Sequence, residues 1–566
     1  MNTEIPGIIL MYVLMVALAI PLGRYIGKVF SKEKTWLDPV FDPLDKLFFK
    51  LSRINPDQEM NWKQHLVALL TINIIWFFFS MFVLMNMGWL PLNPDGNPSM
   101  GAGLAFNTTT SFISNTNLQD YSGETGMSYL GQLTMMLFQF ISAGTGIAIC
   151  AVVFIAMKER TTDRLGNFYN LLVRSCTRIL LPLSVVVAVI LIFNGTPMTF
   201  KGKAQMISVQ GDTMNVARGP VAAMVAIKQL GTNGGGFYGA NSAHPLENPN
   251  YVTNIVENVC ILLIPIAMVF ALGYVLKRRK LAWMIFGVMT VGFLCLLIPT
   301  VINEMKGSPA ITRMGIMQNM GSMEGKEVRF GSPASAFWAI TTTVTSNGSV
   351  NAMHDSLTPL SGMNAMLGMM VNCLYGGVGV GFLNFYIFII IAVFISGLMV
   401  GRTPEFLGKK IEAREMKIAS IIALLHPLLI LAGTAMATHI FVHNPKEYAA
   451  WLNNPGPHGF SEMLYQYTSA SANNGSGFEG LGDNTPFWNI STGIVMLLSR
   501  YLPIIGPVAI AGILAGKKYI PEGAGTLKTD TGTFGIMVFA TIFILAALSF
   551  FPALSLGPIA EFFNVK

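Results

Sequence analysis

Four segments of the chain are rich in hydroxyl, amide and glycine residues and contain no carboxylate. They span residues 106–119, 225–237, 337–349 and 465–478, and each closes on a Thr/Ser/Asn–Asn–Gly pattern or a variant of it. Backbone carbonyl and hydroxyl oxygens can replace the hydration shell of a cation. Divalent cations normally recruit carboxylates as well. The residue types therefore predict a site for a desolvated monovalent cation.

The four segments recur at a near-regular interval. The asparagines Asn115, Asn233, Asn347 and Asn474 are separated by 118, 114 and 127 residues, and Thr116 stands where the other copies have glycine. A regular period is typical of internal duplication. Any single copy is better explained as a surface turn, because Asn-Gly pairs mark turns. Four copies, each between two apolar stretches, favour a repeated unit.

The polar and glycine residues that close the segments are the candidate selectivity filter. Glycine there allows backbone conformations that point consecutive carbonyl oxygens the same way. Gln119 adds a side-chain amide in the first copy, although a solvated residue at the end of a loop is an equal alternative. The candidate filter residues are Asn115, Thr116, Asn117, Gln119, Thr232, Asn233, Gly234, Ser346, Asn347, Gly348, Asn473, Asn474 and Gly475.

The composition predicts a protein that crosses the membrane many times. Hydrophobic residues make up 52% of the chain and charged residues only 11%, against about 25% charged residues in soluble proteins. Apolar stretches of the length that a span needs are predicted at 6–28, 64–90, 128–157, 176–195, 251–276, 281–303, 365–400, 418–442, 488–515 and 533–555.

The basic residues predict the orientation. Alternate loops, taken as inside, hold about 25 of the 36 Lys and Arg residues, and the first long outside loop, 91–127, holds none. This bias follows the positive-inside rule and places both termini outside a bacterial inner membrane. The net charge of +7 is explained by this bias, and no basic run interleaved with aromatics indicates nucleic-acid binding.

These observations predict an all-α polytopic membrane protein with ten transmembrane helices. Four helix–pore loop–helix repeats surround a central pore with pseudo-fourfold symmetry, and one extra helix stands at each end. The predicted divisions are a first helix with a cytoplasmic linker (1–63), repeats one to four (64–157, 176–276, 281–400 and 418–515), and a cytoplasmic loop with the last helix (516–566).

The chain resembles the KdpA family, the potassium-binding subunits of Kdp-type K⁺-transporting ATPases, across its whole length. The motifs that carry the resemblance are Ser114-Asn-Thr-Asn-Leu-Gln119, Gly231-Thr-Asn-Gly-Gly-Gly236, Thr345-Ser-Asn-Gly-Ser349 and Ala472-Asn-Asn-Gly-Ser-Gly477. The resemblance implies high-affinity K⁺ uptake in a complex with a P-type ATPase catalytic subunit, a single-span subunit and a small accessory subunit. The lipid bilayer is the remaining expected partner.

The predicted seventh span is too long and contains a glycine cluster. Residues 365–400 would form a helix of about 54 Å, against a hydrocarbon core of about 30 Å. Gly376, Gly377, Gly379 and Gly381 should break it and form a gate or barrier, although close helix packing through small residues is an open alternative. The resemblance implies a loop here that blocks a straight path and diverts K⁺ sideways.

The resemblance also implies that two arginines belong to this barrier, on the inner side of the pore. Arg500 lies deep in an apolar stretch, and Arg402 ends the seventh span. Charge at membrane depth is rare and usually functional. For Arg402 an ordinary positive-inside anchor is the favoured alternative.

The sequence contains no GxxxxGK[ST] phosphate loop, so ATP hydrolysis is expected on a partner. The predicted function is the K⁺-binding and translocating subunit of an ATP-driven uptake complex. A stand-alone K⁺ channel or a gradient-driven K⁺ transporter is the alternative, because it would use the same filter. A secondary transporter of organic solutes is disfavoured, since inverted repeats with intramembrane carboxylates would be expected.

Overall fold

The computed structural model describes residues 4–399, 401–521 and 527–565. In chain order the α-helices are α1 (Glu4–Phe30), α2 (Asp38–Ser52), α3 (Trp62–Asn86), α4 (Ala102–Ile113), α5 (Gly123–Gly126), α6 (Tyr129–Lys158), α7 (Phe168–Arg174), α8 (Leu181–Phe193), α9 (Val221–Leu230), α10 (Tyr251–Val275), α11 (Arg279–Lys306), α12 (Pro309–Arg313), α13 (Gly331–Val344), α14 (Pro359–Val371), α15 (Val380–Met399), α16 (Ala413–His443), α17 (Pro457–Ala472), α18 (Pro486–Gly516), α19 (Gly532–Leu556) and α20 (Pro558–Val565).

Two short antiparallel hairpins interrupt the helical fold. Strands β1 (Ala204–Ile207) and β2 (Thr213–Val216) form one hairpin, and β3 (Glu405–Phe406) and β4 (Lys409–Lys410) form the other. Both lie in loops between apolar helices. The predicted all-α class is confirmed, because these four short strands lie outside the apolar helices and the membrane part is helical, as its backbone groups must bond to one another.

Ten helical stretches of the described residues are long and apolar enough to cross a membrane, which confirms the predicted number. Most lie within a few residues of their predicted bounds. The fourth begins earlier than predicted, because α7 continues into α8 through a π-helix at Ser175–Leu180. The seventh is α15 alone, because the predicted span at 365–400 is divided between α14 and α15.

Some predicted features lie outside the described residues. These are both chain termini (1–3 and 566), residue 400 at the predicted end of the seventh span, and residues 522–526 in the predicted last inside segment.

Spans alternate between exposed and buried along the chain. Helices α3, α8 and α16 face outward over most of their apolar length, and α11 over about half, whereas α6, α10, α15 and α18 are mostly buried. Each outward span is followed by one of the short helices α4, α9, α13 or α17, and then by a buried span. The short helices are therefore held between an outer layer that would face lipid and an inner layer around the centre.

Helix α2 is an amphipathic helix in the segment predicted as an inside linker. Its residues Val40, Leu44 and Leu51 are exposed, which is typical of a helix lying in the membrane interface. Its acidic side chains meet a buried arginine of the π-helix, Arg178, whose guanidinium lies 3.0, 2.5 and 2.8 Å from the carboxylates of Asp38, Asp42 and Asp45 respectively. The ion pairs fix α2 against the fourth span.

We expect Arg178→Gln to lower the stability of the purified protein by about 3 kcal/mol or more. The Arg178 side chain is fully buried, and its removal leaves the largely buried carboxylates of Asp38 and Asp45 without their partner. Unfolding in detergent should show the loss. Lys46→Gln, at an exposed position of the same helix, is the control, and equal stability of the two variants would contradict the assignment.

Candidate functional site

The four short helices end in the same turn. In each, a backbone N–H just after the helix donates to the carbonyl five residues earlier. These bonds join Thr116 to Ser111 at 2.9 Å, Asn233 to Lys228 at 2.9 Å, Asn347 to Thr342 at 3.0 Å and Asn474 to Ser469 at 2.9 Å. The shared geometry makes these four residues structurally equivalent.

This equivalence corrects the alignment of the first copy. Each of the four residues lies between two residues with left-handed backbone. In the first loop the residues with positive φ are Asn115 and Asn117, and in the third loop they are Ser346 and Gly348. Thr116 therefore corresponds to the repeated asparagine, and Asn117, rather than Thr116, stands at the glycine position. Asn is among the few residues with a side chain that adopt this conformation readily, so it can replace glycine there.

The loops touch one another in a closed cycle. A Cβ atom added to Gly234 would overlap the carbonyl oxygen of Asn347 in the third loop. In the same way, a Cβ on Gly348 would overlap Asn474 O of the fourth loop, and a Cβ on Gly475 would overlap Thr116 O of the first loop. The first and second loops meet where Asn117 packs against Gly235. Glycine is thus required at three corners both by its φ and by the backbone of the neighbouring loop.

Side-chain amides connect neighbouring loops as well. Asn347 Nδ2 donates to Lys228 O at 3.2 Å, and Asn474 Nδ2 donates to Thr342 O at 2.8 Å, so each equivalent amide reaches the preceding copy. The first two loops are joined by a bond of 2.5 Å from Asn233 Nδ2 to Asn115 Oδ1. All groups in these contacts are uncharged, as the residue types predicted.

Gln119 clamps the first loop to the second. Its Oε1 accepts from the Gly236 N–H at 2.8 Å, and its Nε2 donates to Gly236 O at 3.1 Å and to Tyr121 Oη at 3.0 Å. Both polar atoms of the side chain are thus bonded within the protein, unlike those of a solvated loop end. Its contacts assign Gln119 to holding the ring together.

The second copy carries a buried charge that sequence reasoning missed. Lys228 occupies the position where the other copies have serine or threonine, and its side chain is fully buried in an ion pair with Glu247. It also donates to Asn241 Oδ1 and Ser242 Oγ, both at 2.7 Å. A lysine in a segment expected at membrane depth demands a nearby carboxylate, and that signal was present in the sequence.

The glycine-rich segment at residues 376–381 breaks the apolar stretch and contacts three of the four repeats. The Gly377 N–H donates to Thr345 O of the third repeat at 2.6 Å, and the Val378 N–H donates to Thr232 Oγ1 of the second repeat at 2.9 Å. A Cβ on Gly379 would overlap Gly146 O of α6, which belongs to the first repeat. The predicted helix break is confirmed, and the segment lies directly against the ring.

A small cavity separates part of the ring from this segment. Its wall contains the first left-handed residue of three loops, Asn115, Ser346 and Asn473. It also contains three residues of the predicted barrier, Gly377, Gly381 and Arg500. A second, mostly apolar cavity between α15, α16, α18 and α19 shares three wall residues with the first, namely Asn372, Asn384 and Ser499.

The two predicted arginines are placed differently. Arg500 is 6% exposed, lines the small cavity and donates to Ser142 O at 3.4 Å, and no salt bridge to it is found within the described residues. Arg402 is exposed just beyond α15 and does not line that cavity. Its exposed position outside the cavity favours the alternative of a surface anchor.

Two carboxyl groups are neighbours next to the ring, that of Asp120 in the loop that follows Gln119 and that of Asp483 in the loop between α17 and α18. Asp120 is almost fully buried, and among the described residues no N–H or O–H donates to either of its oxygens. Burial and the neighbouring carboxyl of Asp483 raise the pKa of Asp120 well above its usual range. Burial raises the pKa of Asp483 to about 6. Sequence reasoning missed this pair, because the two residues are 363 positions apart.

Comparison with known proteins decides the family. The model of a family described as KdpA, potassium-transporting ATPase A subunit, matches residues 9–563. The chain belongs to the KdpA family. Its relatives include potassium-transporting ATPase potassium-binding subunits from Flavobacterium johnsoniae (66% identical over 100% of both chains), Phocaeicola vulgatus (62%, 99% of both) and Geobacillus kaustophilus (48%, 98% of both).

This KdpA chain also shares its fold with a solved structure. The potassium transporter TrkH from Vibrio parahaemolyticus superposes with a TM-score of 0.50 over 89% of this chain and 98% of that chain, at 14% sequence identity. At this identity the likeness is evidence of fold alone. The chain is therefore a multi-pass membrane protein that belongs to a transporter family.

For the ring of this KdpA chain, we expect Gln119→Glu to loosen the second loop. The carboxylate loses the donor to Gly236 O and Tyr121 Oη. Since a hydrogen bond contributes about 1 kcal/mol net, amide hydrogen exchange at Gly236 should accelerate roughly fivefold. Gln210→Glu in the exposed β1–β2 hairpin is the control. Unchanged exchange at Gly236 would remove the clamping role.

Proposed function

We propose that the chain binds K⁺ from outside in the ring of four loops and passes it on as the potassium-binding subunit of an ATP-driven uptake complex. The observation that carries this proposal is the closed cycle of backbone contacts through Gly234, Gly348 and Gly475, which brings uncharged oxygens of four loops together. The family membership and the names of the relatives support it.

The physics of the ring favours a monovalent cation. Alternating left-handed residues allow successive carbonyl oxygens to point in one direction, and rings of carbonyls replace the hydration shell of K⁺ in channels. Helices α4, α9, α13 and α17 all end at the ring, and a helix C-terminus carries a partial negative charge of about half a unit. The ring therefore attracts a cation without holding it by a carboxylate.

The filter in this proposal comprises the residues assigned from the sequence, with altered roles for two of them. Thr116 takes the place of the repeated asparagine, and Gln119 holds loops together. Each filter loop belongs to one repeat of outward span, short helix, loop and buried span, within the divisions 64–157, 176–276, 281–400 and 418–515. The N-terminal and C-terminal divisions, 1–63 and 516–566, are additions to the ring.

The inner side of the ring is proposed as a barrier. Gly376, Gly377, Gly379 and Gly381 form a strap against the ring, and Arg500 places a positive charge in the cavity between them. A cation leaving the ring would meet that charge. The adjoining cavity, which shares wall residues with the first, offers a sideways route to a partner.

The complex in this proposal contains a P-type ATPase catalytic subunit, a single-span subunit and a small accessory subunit. It lies in the bacterial inner membrane with both termini of this chain outside. A stand-alone K⁺ channel is the second candidate, favoured only by the ring itself. Passive K⁺ flux through the chain alone in liposomes, without ATP or partners, would support the second candidate.

The decisive experiment changes the ring glycines. We expect Gly348→Ala and Gly475→Ala each to raise the K⁺ concentration for half-maximal ATP hydrolysis by the purified complex about tenfold or more. Their φ values of +89° and +101° disfavour alanine by about 1–2 kcal/mol, and the new Cβ displaces a carbonyl of the next loop.

Gly103→Ala is the matched control, because a Cβ at this glycine of α4 meets no atom within 4 Å. It should leave the K⁺ dependence unchanged. Equal K⁺ affinity in all three variants would overturn the assignment of the ring as the K⁺ site.

The acidic pair predicts a pH dependence. Burial raises the pKa of Asp483 to about 6, so lowering the pH from 7.5 to 5.5 protonates Asp483 and removes its negative charge from the pair. A loss of negative charge near the ring should weaken K⁺ affinity a few-fold, on the order of 1 kcal/mol or less. Asp483→Asn should reproduce the low-pH affinity at pH 7.5 and reduce the pH response.

Asp212→Asn, in the exposed β1–β2 turn, should keep the wild-type response to pH. If Asp483→Asn retains the same response as the wild type, the pair does not act on the ring.

A further inference from the structure

A cluster of carboxylates surrounds one histidine beside the third and fourth loops. Asp355, His458 and Glu462 each place one ligand atom within 4.8 Å of the others. His458 and Glu462 are four residues apart and therefore share one face of α17. Asp355 lies in the 3₁₀ turn His354–Ser356, which follows the third loop. The cluster thus joins two of the repeated units.

The cluster contains more negative charge than its protein partners balance. Asp355 and Glu462 are buried, at 7% and 0% exposure. Glu479 and Glu561 stand next to them, since Glu479 Oε2 accepts from the Asp355 N–H at 3.1 Å and Glu561 Oε1 lies 2.9 Å from His458 Nδ1. In the described part of the chain, His458 is the only basic side chain found in a salt bridge with any of these four carboxylates.

One carboxylate oxygen in the cluster is left without a partner. Asn454 Nδ2 donates to Glu462 Oε1 at 2.8 Å and to Asp355 Oδ2 at 3.2 Å. Glu462 Oε2 is buried and receives no hydrogen bond from the described residues. Burying a carboxylate oxygen without a partner is unfavourable, and coordination to a cation would remove that cost.

The histidine can ligate a metal through Nε2 once the metal displaces the proton on that nitrogen. Its Nε2 faces Asp355 Oδ1 at 2.9 Å, while its Nδ1 is held by Glu561 Oε1 on the opposite side. A carboxylate that fixes the second nitrogen of a ligating histidine is a recurring feature of metal sites. An open cavity lined by Asp355, His458 and Glu561 supplies room for water as a further ligand.

We propose that Asp355, His458 and Glu462 bind a divalent transition-metal cation, with Zn²⁺ as the best fit. One imidazole nitrogen and two carboxylate oxygens with water match a zinc coordination set. The imidazole disfavours Ca²⁺ and Mg²⁺, which prefer oxygen ligands. The metal would tie the turn after the third loop to α17 and, through Glu561, to the terminal helix α20, and so brace one side of the ring.

The experiment measures metal content and affinity in the intact complex purified in detergent. After metal removal with a chelator and titration with Zn²⁺, we expect about one tightly bound zinc per chain by elemental analysis. His458→Gln and Glu462→Gln should abolish it. Glu561→Gln should weaken it by about 10–100-fold, the usual effect of losing the partner of a ligating histidine. Excess Ca²⁺ should not compete.

A second histidine pair provides the control. His439 and His443 lie four residues apart at the end of α16, with rings 4.1 Å apart, and can bind Zn²⁺ at the surface. The double variant His439→Gln/His443→Gln should keep the tight site. Zinc that survives in His458→Gln and Glu462→Gln, zinc lost in the control, or no retained metal would each overturn the proposal. Circular dichroism of each variant confirms that a lost site does not reflect unfolding.

Discussion

The ring depends on one close approach, between the glycine of one loop and a carbonyl oxygen of the next. Gly234, Gly348 and Gly475 leave no space for a side chain at this point, so backbone packs directly on backbone. Irregular backbone at membrane depth is tolerated only when it is packed in protein or lines a cavity, and here the neighbouring loop supplies that packing. The outward spans, the short helices and the buried spans all serve to bring four such loops to one place.

Features written locally in the sequence could be predicted from it. The number of spans follows from apolar length, and the break near Gly377 follows from a glycine cluster within a stretch too long for one span. The grouping of the loops followed from their repetition. The register of the first loop did not, because Asn115 and Asn117 flank Thr116 on either side and asparagine can replace glycine in left-handed backbone.

Features made by distant residues could not be predicted. Lys228 and Glu247 pair across a loop, Asp120 faces Asp483 from the other end of the chain, and Arg178 meets the acidic side of α2. Each residue type was visible in the sequence, but a buried charge identifies its partner only after the chain has folded. Arg402 and Arg500 show the same limit, since both end up near apolar helices and only one of them is buried.

The four corners of the ring are joined in one polypeptide and carry different residues. Thr116 and Asn117 stand at the corner where the other loops have asparagine and glycine. In an assembly of four identical subunits, any change in the gene would alter every corner at once. In this chain a single codon reaches only one quarter of the ring, so natural variation can alter one corner while the other three keep their geometry.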